Sequence, residues 1–217
     1  VIGSPQNNSH AYKGGGIYVF TGGEAALSGT VSVDDCDSSV ASSADRAAMG
    51  AAVTYIGDTN GDGRDDLLVG APKSDVNGED SGAAMLFLGH ATNFSTGLAM
   101  IHTSASATYR GESDGHWAGA AVTGLGDIDG DGYTEFAVSA PYASAMGAES
   151  GAVYMMVNPD RTGTHDLADV ADTTFYGSGA EHTAGESLTG GLDLNNDGFA
   201  DLVIGSPGSG TSAYQAG

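Results

Sequence analysis

The chain has 217 residues, 40 % of them hydrophobic, with 36 glycines and 28 acids against 6 bases, for a net charge of −22. That apolar content supports a packed core and excludes wholesale disorder. The charge excludes nucleic acid and anionic membrane surfaces as partners, because both would repel the chain, and no stretch approaches the 18 apolar residues that membrane insertion of a helix needs.

In chain order, Val1-Ile2 is the end of an apolar run that stops at Ser4-Pro5. Ten residues after that Pro stands Gly15, followed by the apolar run Ile17-Tyr18-Val19-Phe20 and a weaker segment, Thr30-Val31-Ser32-Val33. The second unit opens with Gly50–Ile56. It continues through Leu67-Leu68-Val69 to Ala71-Pro72, then Gly82, Met85-Leu86-Phe87-Leu88 and the weaker Ala107-Thr108-Tyr109-Arg110. The third repeats this with Gly119–Val122, Phe136-Ala137-Val138, Ala140-Pro141, Gly151, Val153–Val157 and Thr173-Thr174-Phe175-Tyr176. A fourth begins with Leu202-Val203-Ile204 before Ser206-Pro207 and Gly217. The prolines are spaced by 67, 69 and 66 residues.

Each unit reads as four short strands separated by Gly and Asp/Asn turns, with no sustained 3.6-residue period. Tandem four-stranded units predict an all-β chain of β-propeller blades; a solenoid fits units of this length less well. The units fall at about 1–45 (partial), 46–115, 116–180 and 181–217 (partial), making 1–217 one propeller region of slightly more than three repeats.

Three turns between first and second strands carry the chemistry. They are Asp58-Thr59-Asn60-Gly61-Asp62-Gly63-Arg64-Asp65-Asp66, Asp127-Ile128-Asp129-Gly130-Asp131-Gly132-Tyr133-Thr134-Glu135 and Asp193-Leu194-Asn195-Asn196-Asp197-Gly198-Phe199-Ala200-Asp201. Side-chain oxygens fall at positions 1, 3, 5 and 9, with Gly at 6. A tightly turning loop aims alternate side chains at one point, and Ca²⁺ takes six to eight oxygens. The candidate ligands are therefore Asp58, Asn60, Asp62 and Asp66; Asp127, Asp129, Asp131 and Glu135; and Asp193, Asn195, Asp197 and Asp201. The position-7 carbonyls of Arg64, Tyr133 and Phe199 complete the three sets. Mg²⁺ rarely accepts an all-protein cage, and zinc would call for His or Cys. An EF-hand needs a carboxylate at position 12 between two helices; here that position is Val69, Val138 or Ile204, inside a β-type run. About three Ca²⁺ per chain are expected.

The run from Gly57 to Pro72 resembles the FG-GAP repeat, as do Gly126 to Pro141 and, more loosely, Gly191 to Pro207. The likeness covers essentially the whole chain, although Met49-Gly50, Ala118-Gly119 and Ala184-Gly185 stand where the family has Phe-Gly. The resemblance implies the seven-bladed propeller of integrin alpha chains and of bacterial secreted or surface proteins. It implies calcium in the three loops on one face, with Glu135 replacing the usual Asp, and ligands on the opposite face. Without the Phe, the family's aromatic packing between blades is not assured.

Other residues read more plainly. Cys36, the single cysteine, lies in the acidic Asp34-Asp35-Cys36-Asp37 and excludes an intramolecular disulfide. His116 and His182 occupy equivalent places and read as turn fillers, Trp117 as packing rather than a sugar platform, and Asp75–Asp80 as a solvated hairpin. The chain begins inside the second strand of one unit and stops before the third strand of another, so two arrangements stay open. One is a piece of a longer propeller; the other is self-assembly of copies through open blade edges. The function expected is a non-enzymatic, calcium-binding extracellular or cell-surface adhesion module with a protein or glycan partner. A non-catalytic propeller of a secreted hydrolase or lyase, and a structural subunit of a surface fibre or sheath, are the competing readings.

Overall fold

The computed structural model describes residues 1–20, 29–89, 99–100, 105–158 and 162–210. Successive antiparallel sheets follow the repeat. The first contains β1 (Ile2–Ser4), β2 (Gly16–Val19) and β3 (Ser38–Ala41). The second contains β4 (Ala52–Gly57), β5 (Asp66–Ala71), β6 (Ala83–Phe87) and, after β7 (Ala99–Met100), β8 (Ala107–Arg110). The third contains β9 (Val122–Gly126), β10 (Glu135–Ala140), β11 (Ala152–Met156) and β13 (Thr173–Tyr176), the last preceded by β12 (Gly163–Asp166) and the one-turn helix α1 (Leu167–Val170). β14 (Ser187–Leu192) and β15 (Asp201–Gly205) begin a fourth. The first strands β4, β9 and β14 stand beside one another, as in a segment of a propeller, and the sheets do not close into a barrel.

The central strands explain why the sequence runs were continuously apolar. Every residue of β5 and β10 is buried, because successive residues serve opposite faces of the blade. Leu67 and Val69 pack with Ile17 and Val40 of the first blade and with Met49 at the start of their own unit, whereas Leu68 packs with Phe136 and Val138 of the third. Ala137, one residue out of phase, turns to Leu188, Leu202 and Ile204 of the fourth. The core therefore lies between blades. Aromatic packing survives the loss of the Phe-Gly pairs: Tyr109 and Phe136 meet across the second and third blades with centroids 5.4 Å apart.

The glycines ten residues after Pro5, Pro72 and Pro141 have a steric role, while Gly217, after Pro207, lies outside the described residues. Gly82 has φ +79°, and a Cβ there would lie 2.3 Å from the backbone N and O of Ala118. The pairs Gly15–Met49, Gly82–Ala118 and Gly151–Ala184 form isolated parallel bridges that stitch each blade to the next.

Two features depart from the expected strands. The fourth strand of the first blade is Ser38–Ala41, not Thr30–Val33. Ser32 instead caps a 3₁₀ turn over Val33–Asp35, accepting from the Asp34 amide while Asp35 accepts from the Ser32 amide; local capping overrides a weak β pattern. In addition, β7 and β12 add parallel outer strands to β3 and β8. β7 is too short, and β12 too polar, to carry a period that the sequence would reveal.

Replacing Gly82 by Ala should cost roughly 3 kcal/mol or more, combining the left-handed backbone with a backbone clash. Gly115→Ala is the control, since Gly115 has φ +70° with nothing within 4 Å, and it should cost about 1–2 kcal/mol. Urea denaturation of both variants measures the difference; equal losses would remove the stitching role.

Candidate metal centres

The three loops join β4 to β5, β9 to β10 and β14 to β15, at the same end of each blade. They are built alike. The position-6 glycines have φ +82°, +90° and +92° in Gly63, Gly132 and Gly198, a left-handed conformation that glycine adopts without steric cost. Three Asx-type bonds then repeat. The amide of position 6 donates to the carboxylate of position 1, at 2.7 Å for Gly63 to Asp58, 3.0 Å for Gly132 to Asp127 and 2.9 Å for Gly198 to Asp193. The amide of position 5 donates to the side-chain oxygen of position 3, which is Asn60, Asp129 or Asn195. The amide of position 7 (Arg64, Tyr133 or Phe199) donates to the carboxylate of position 5, which is Asp62, Asp131 or Asp197. Alternate side chains thereby fold inward over the turn.

Position 9 closes the loop in every repeat, a role the sequence reading missed. Asp66, Glu135 and Asp201 accept the position-2 amide of Thr59, Ile128 and Leu194 at 2.9, 2.7 and 2.7 Å. Asp66 is completely buried and saturated further by the Thr59 hydroxyl and the Gly89 amide. The signal was the fixed seven-residue spacing, but any amide could have been its donor.

The middle loop brings its acids together. Carboxylate oxygens of Asp127, Asp129 and Glu135 lie within 4.8 Å of one another, and no other such group occurs among the described residues. Glu135 is wholly buried; its Oε2 accepts from Ile128, whereas its Oε1 is buried without a partner. A buried carboxylate oxygen lacking a donor, beside two further carboxylates, is the environment that a hard cation satisfies. Burial pushes the Glu135 carboxyl up to about 7; the Ile128 amide opposes this, and the negative charges of Asp129, Asp131 and Asp127 reinforce it. Asp58 behaves differently. Burial alone would raise it, but the amides of Gly63, Gly61, Asn60 and Asp62 together hold it below the usual carboxylate range.

Arg64 lies beside the first loop, its Nη1 3.7 Å from Asp62 Oδ2, with both side chains substantially exposed. The third loop is exposed along Asp193–Phe199, and Asn195 Nδ2 donates to Asp197 at 3.0 Å. The first two loops also touch. The Thr134 amide donates to the Asp58 carbonyl at 3.2 Å and its hydroxyl to the Ile56 carbonyl at 2.5 Å. Gly61 fits under the Tyr133 ring.

At the opposite end of the blades, His116 and Trp117 line a cleft with Asp114, Tyr142, Ser144 and Glu149. Trp117 meets Tyr142 edge-on at 4.8 Å, with Lys73 Nζ 4.4 Å above its ring. This is packing against the neighbouring blade, as expected. The His116 Nδ1 is buried without a partner, whereas His182 Nδ1 lies 3.2 Å from Ser178 Oγ. The segment Asp75–Asp80 is a turn in which the Asp80 amide donates to Asp75.

Residues 51–87, 118–156 and 184–217 match the FG-GAP repeat family. Similar proteins include human integrin alpha-IIb, 33 % identical over 157 residues (70 % of this chain and 14 % of that protein). Integrin alpha-PS5 of Drosophila melanogaster is 31 % identical over 160 residues, covering 70 % and 14 %. Integrin alpha ina-1 of Caenorhabditis elegans is 31 % identical over 173 residues, covering 74 % and 15 %. The chain thus spans about one-seventh of the length of these relatives.

Metal-free protein should lose stability as pH rises. Glu135 is raised from 4.5 to about 7 in the folded state, so its contribution is fully present below about 4.5 and is lost as pH rises through about 7. The full difference is on the order of 3 kcal/mol. Urea melts at pH 5 and pH 8 in metal-depleted buffer should show this loss in the native sequence and much less of it in Glu135→Gln. An unchanged pH dependence in the variant would place the effect elsewhere.

Proposed function

Because the chain belongs to the FG-GAP repeat family, we propose that it is a calcium-stabilised, non-enzymatic binding module of the extracellular adhesion type. The observation that carries the reading is the middle loop, where three carboxylates converge and one buried oxygen lacks a donor. Its proposed ligands are Asp127, Asp129, Asp131, Glu135 and the Tyr133 carbonyl. By the shared turn geometry, Asp58, Asn60, Asp62, Asp66 and the Arg64 carbonyl would hold a second ion. Asp193, Asn195, Asp197, Asp201 and the Phe199 carbonyl would hold a third. All-oxygen sets of this kind favour Ca²⁺ over softer metals.

The ion's role is structural. It supplies positive charge where each blade begins its second strand, and that strand carries the inter-blade core. A protein or glycan partner would then meet the opposite end of the blades, where the loops vary between repeats while the metal turns stay constant.

Isothermal titration of chelator-stripped protein with calcium tests this. About three sites are expected, and fewer than two would contradict the reading. The middle site should be the tightest, having four acidic ligands against three acids and an Asn in each of the others. Asp127→Ala should therefore abolish the tightest step, while Asp58→Ala and Asp193→Ala leave it. Loss of that step in either of the latter variants, with its survival in Asp127→Ala, would show that loop geometry outweighs ligand charge.

A further inference from the structure

The three acidic turns are built alike, but they do not meet alike. The Thr134 amide, at position 8 of the second turn, donates to the Asp58 carbonyl of the first at 3.2 Å, and the Thr134 hydroxyl donates to the Ile56 carbonyl. Two glycines of the first loop make room for this contact. A Cβ at Gly57 would lie 2.8 Å from Thr134 Cγ2, and one at Gly61 would lie 2.7 Å from Tyr133 Cε1. The second and third turns lack the equivalent. Position 8 of the third is Ala200, which has no hydroxyl, and among the described residues its amide makes no bond to Asp127. Gly126 and Gly130, the counterparts of Gly57 and Gly61, would meet nothing within 4 Å if given a Cβ. Phe199, the counterpart of Tyr133, is 61 % exposed against 38 %.

The contact is continuous with both sets of proposed ligands. The peptide group joining Tyr133 to Thr134 carries a proposed ligand of the second ion, its carbonyl, and gives its N–H to the Asp58 carbonyl. The peptide group joining Asp58 to Thr59 accepts that bond and gives its own N–H to Asp66 Oδ2 at 2.9 Å. Asp66 is a proposed ligand of the first ion. Hydrogen-bonded peptides polarise one another, so positive charge on the Tyr133 carbonyl strengthens each bond that follows and holds Asp66 in place. Both turns are exposed at their tips, so ordering one spares part of the entropy cost of ordering the other. Repulsion between two divalent ions acts in the opposite sense. However, eight acids and Arg64 give the two nine-residue turns a formal charge of −7, more than two such ions neutralise.

We propose that the first and second calcium sites are coupled through Thr134, so that filling the second raises the affinity of the first, while the third binds independently. The coupling rests on the calcium reading above, which the buried, unpartnered Oε1 of Glu135 supports. Thr134 is not among the proposed ligands; it is a positioning residue that fixes one turn against the other.

The test is a calcium titration of the chelator-stripped, isotope-labelled chain followed by nuclear magnetic resonance. The amides of Gly63, Gly132 and Gly198 each donate to the position-1 carboxylate of their own turn, so their signals report the three sites separately. The second turn has the most acidic ligands and fills first, so the coupling is read at Gly63. Asp129→Ala, which disables the second site, should raise the calcium needed for half-saturation at Gly63 roughly tenfold and leave Gly198 unchanged. Thr134→Ala should have the same effect at Gly63 with every proposed ligand in place; Ala is the residue the third turn carries at that position. The double variant should lose no more than either single one, because both remove the same interaction. A Gly63 midpoint indifferent to Asp129→Ala, additive losses in the double variant, or an equal change at Gly198 overturns the coupling and leaves the calcium reading standing. Absence of any calcium response at all three glycines contradicts that reading and the coupling with it.

Discussion

Each blade turns from its first strand to its second through nine residues that crowd three or four acids together. At about 5 Å, two carboxylates in a medium of effective dielectric 20 repel by roughly 3 kcal/mol. The loop's own amides meet that repulsion, donating in the same order to positions 1, 3, 5 and 9 in all three repeats. The remaining electrostatic demand is greatest at Glu135, whose second oxygen is buried without a donor. The proposed cation would meet that demand, since the inward-folded side chains already converge on the turn. The strand after each loop depends on the turn as well, because position 9 is also the first residue of β5, β10 or β15.

Those second strands carry the cohesion of the molecule. β5 has no solvent face; its odd and even residues belong to two different inter-blade cores. A blade is therefore stable only between neighbours, and the chain multiplies the neighbour contacts. Glycine bridges join Gly82 to Ala118 and Gly151 to Ala184, parallel outer strands reach back one blade, and Thr134 ties the second acidic turn to the first. Local order at one turn is in this way transmitted to the packing of two blades.

Much of this was legible in the sequence. The spacing of Ser/Ala-Pro pairs located β5 and β10, and the Asp-x-Asp/Asn-x-Asp-Gly pattern located the loops, because both reflect constraints repeated in register. The failures have physical causes. Thr30–Val33 resembles a strand, but Ser32 and Asp35 satisfy each other's amides and make a 3₁₀ turn. β7 and β12 owe their strand conformation to the edge of another blade rather than to their own pattern. Glu135 could be read as a ligand from its position. Its burial, and so its raised proton affinity, depends on the packing around it and is absent from the spacing.

The most direct measurement of the account is the thermal midpoint of the chain at neutral pH, in millimolar calcium and in excess chelator. A ligand present at 100 times its dissociation constant adds about 2.7 kcal/mol per site, and each kcal/mol raises the midpoint of a domain this size by about 2–4 °C. Calcium should therefore raise the midpoint by at least about 5 °C even if one site alone were saturated. Coincident melts would contradict the claim that these turns are held by a cation, and would leave the loop amides as sufficient counterweight to the acids.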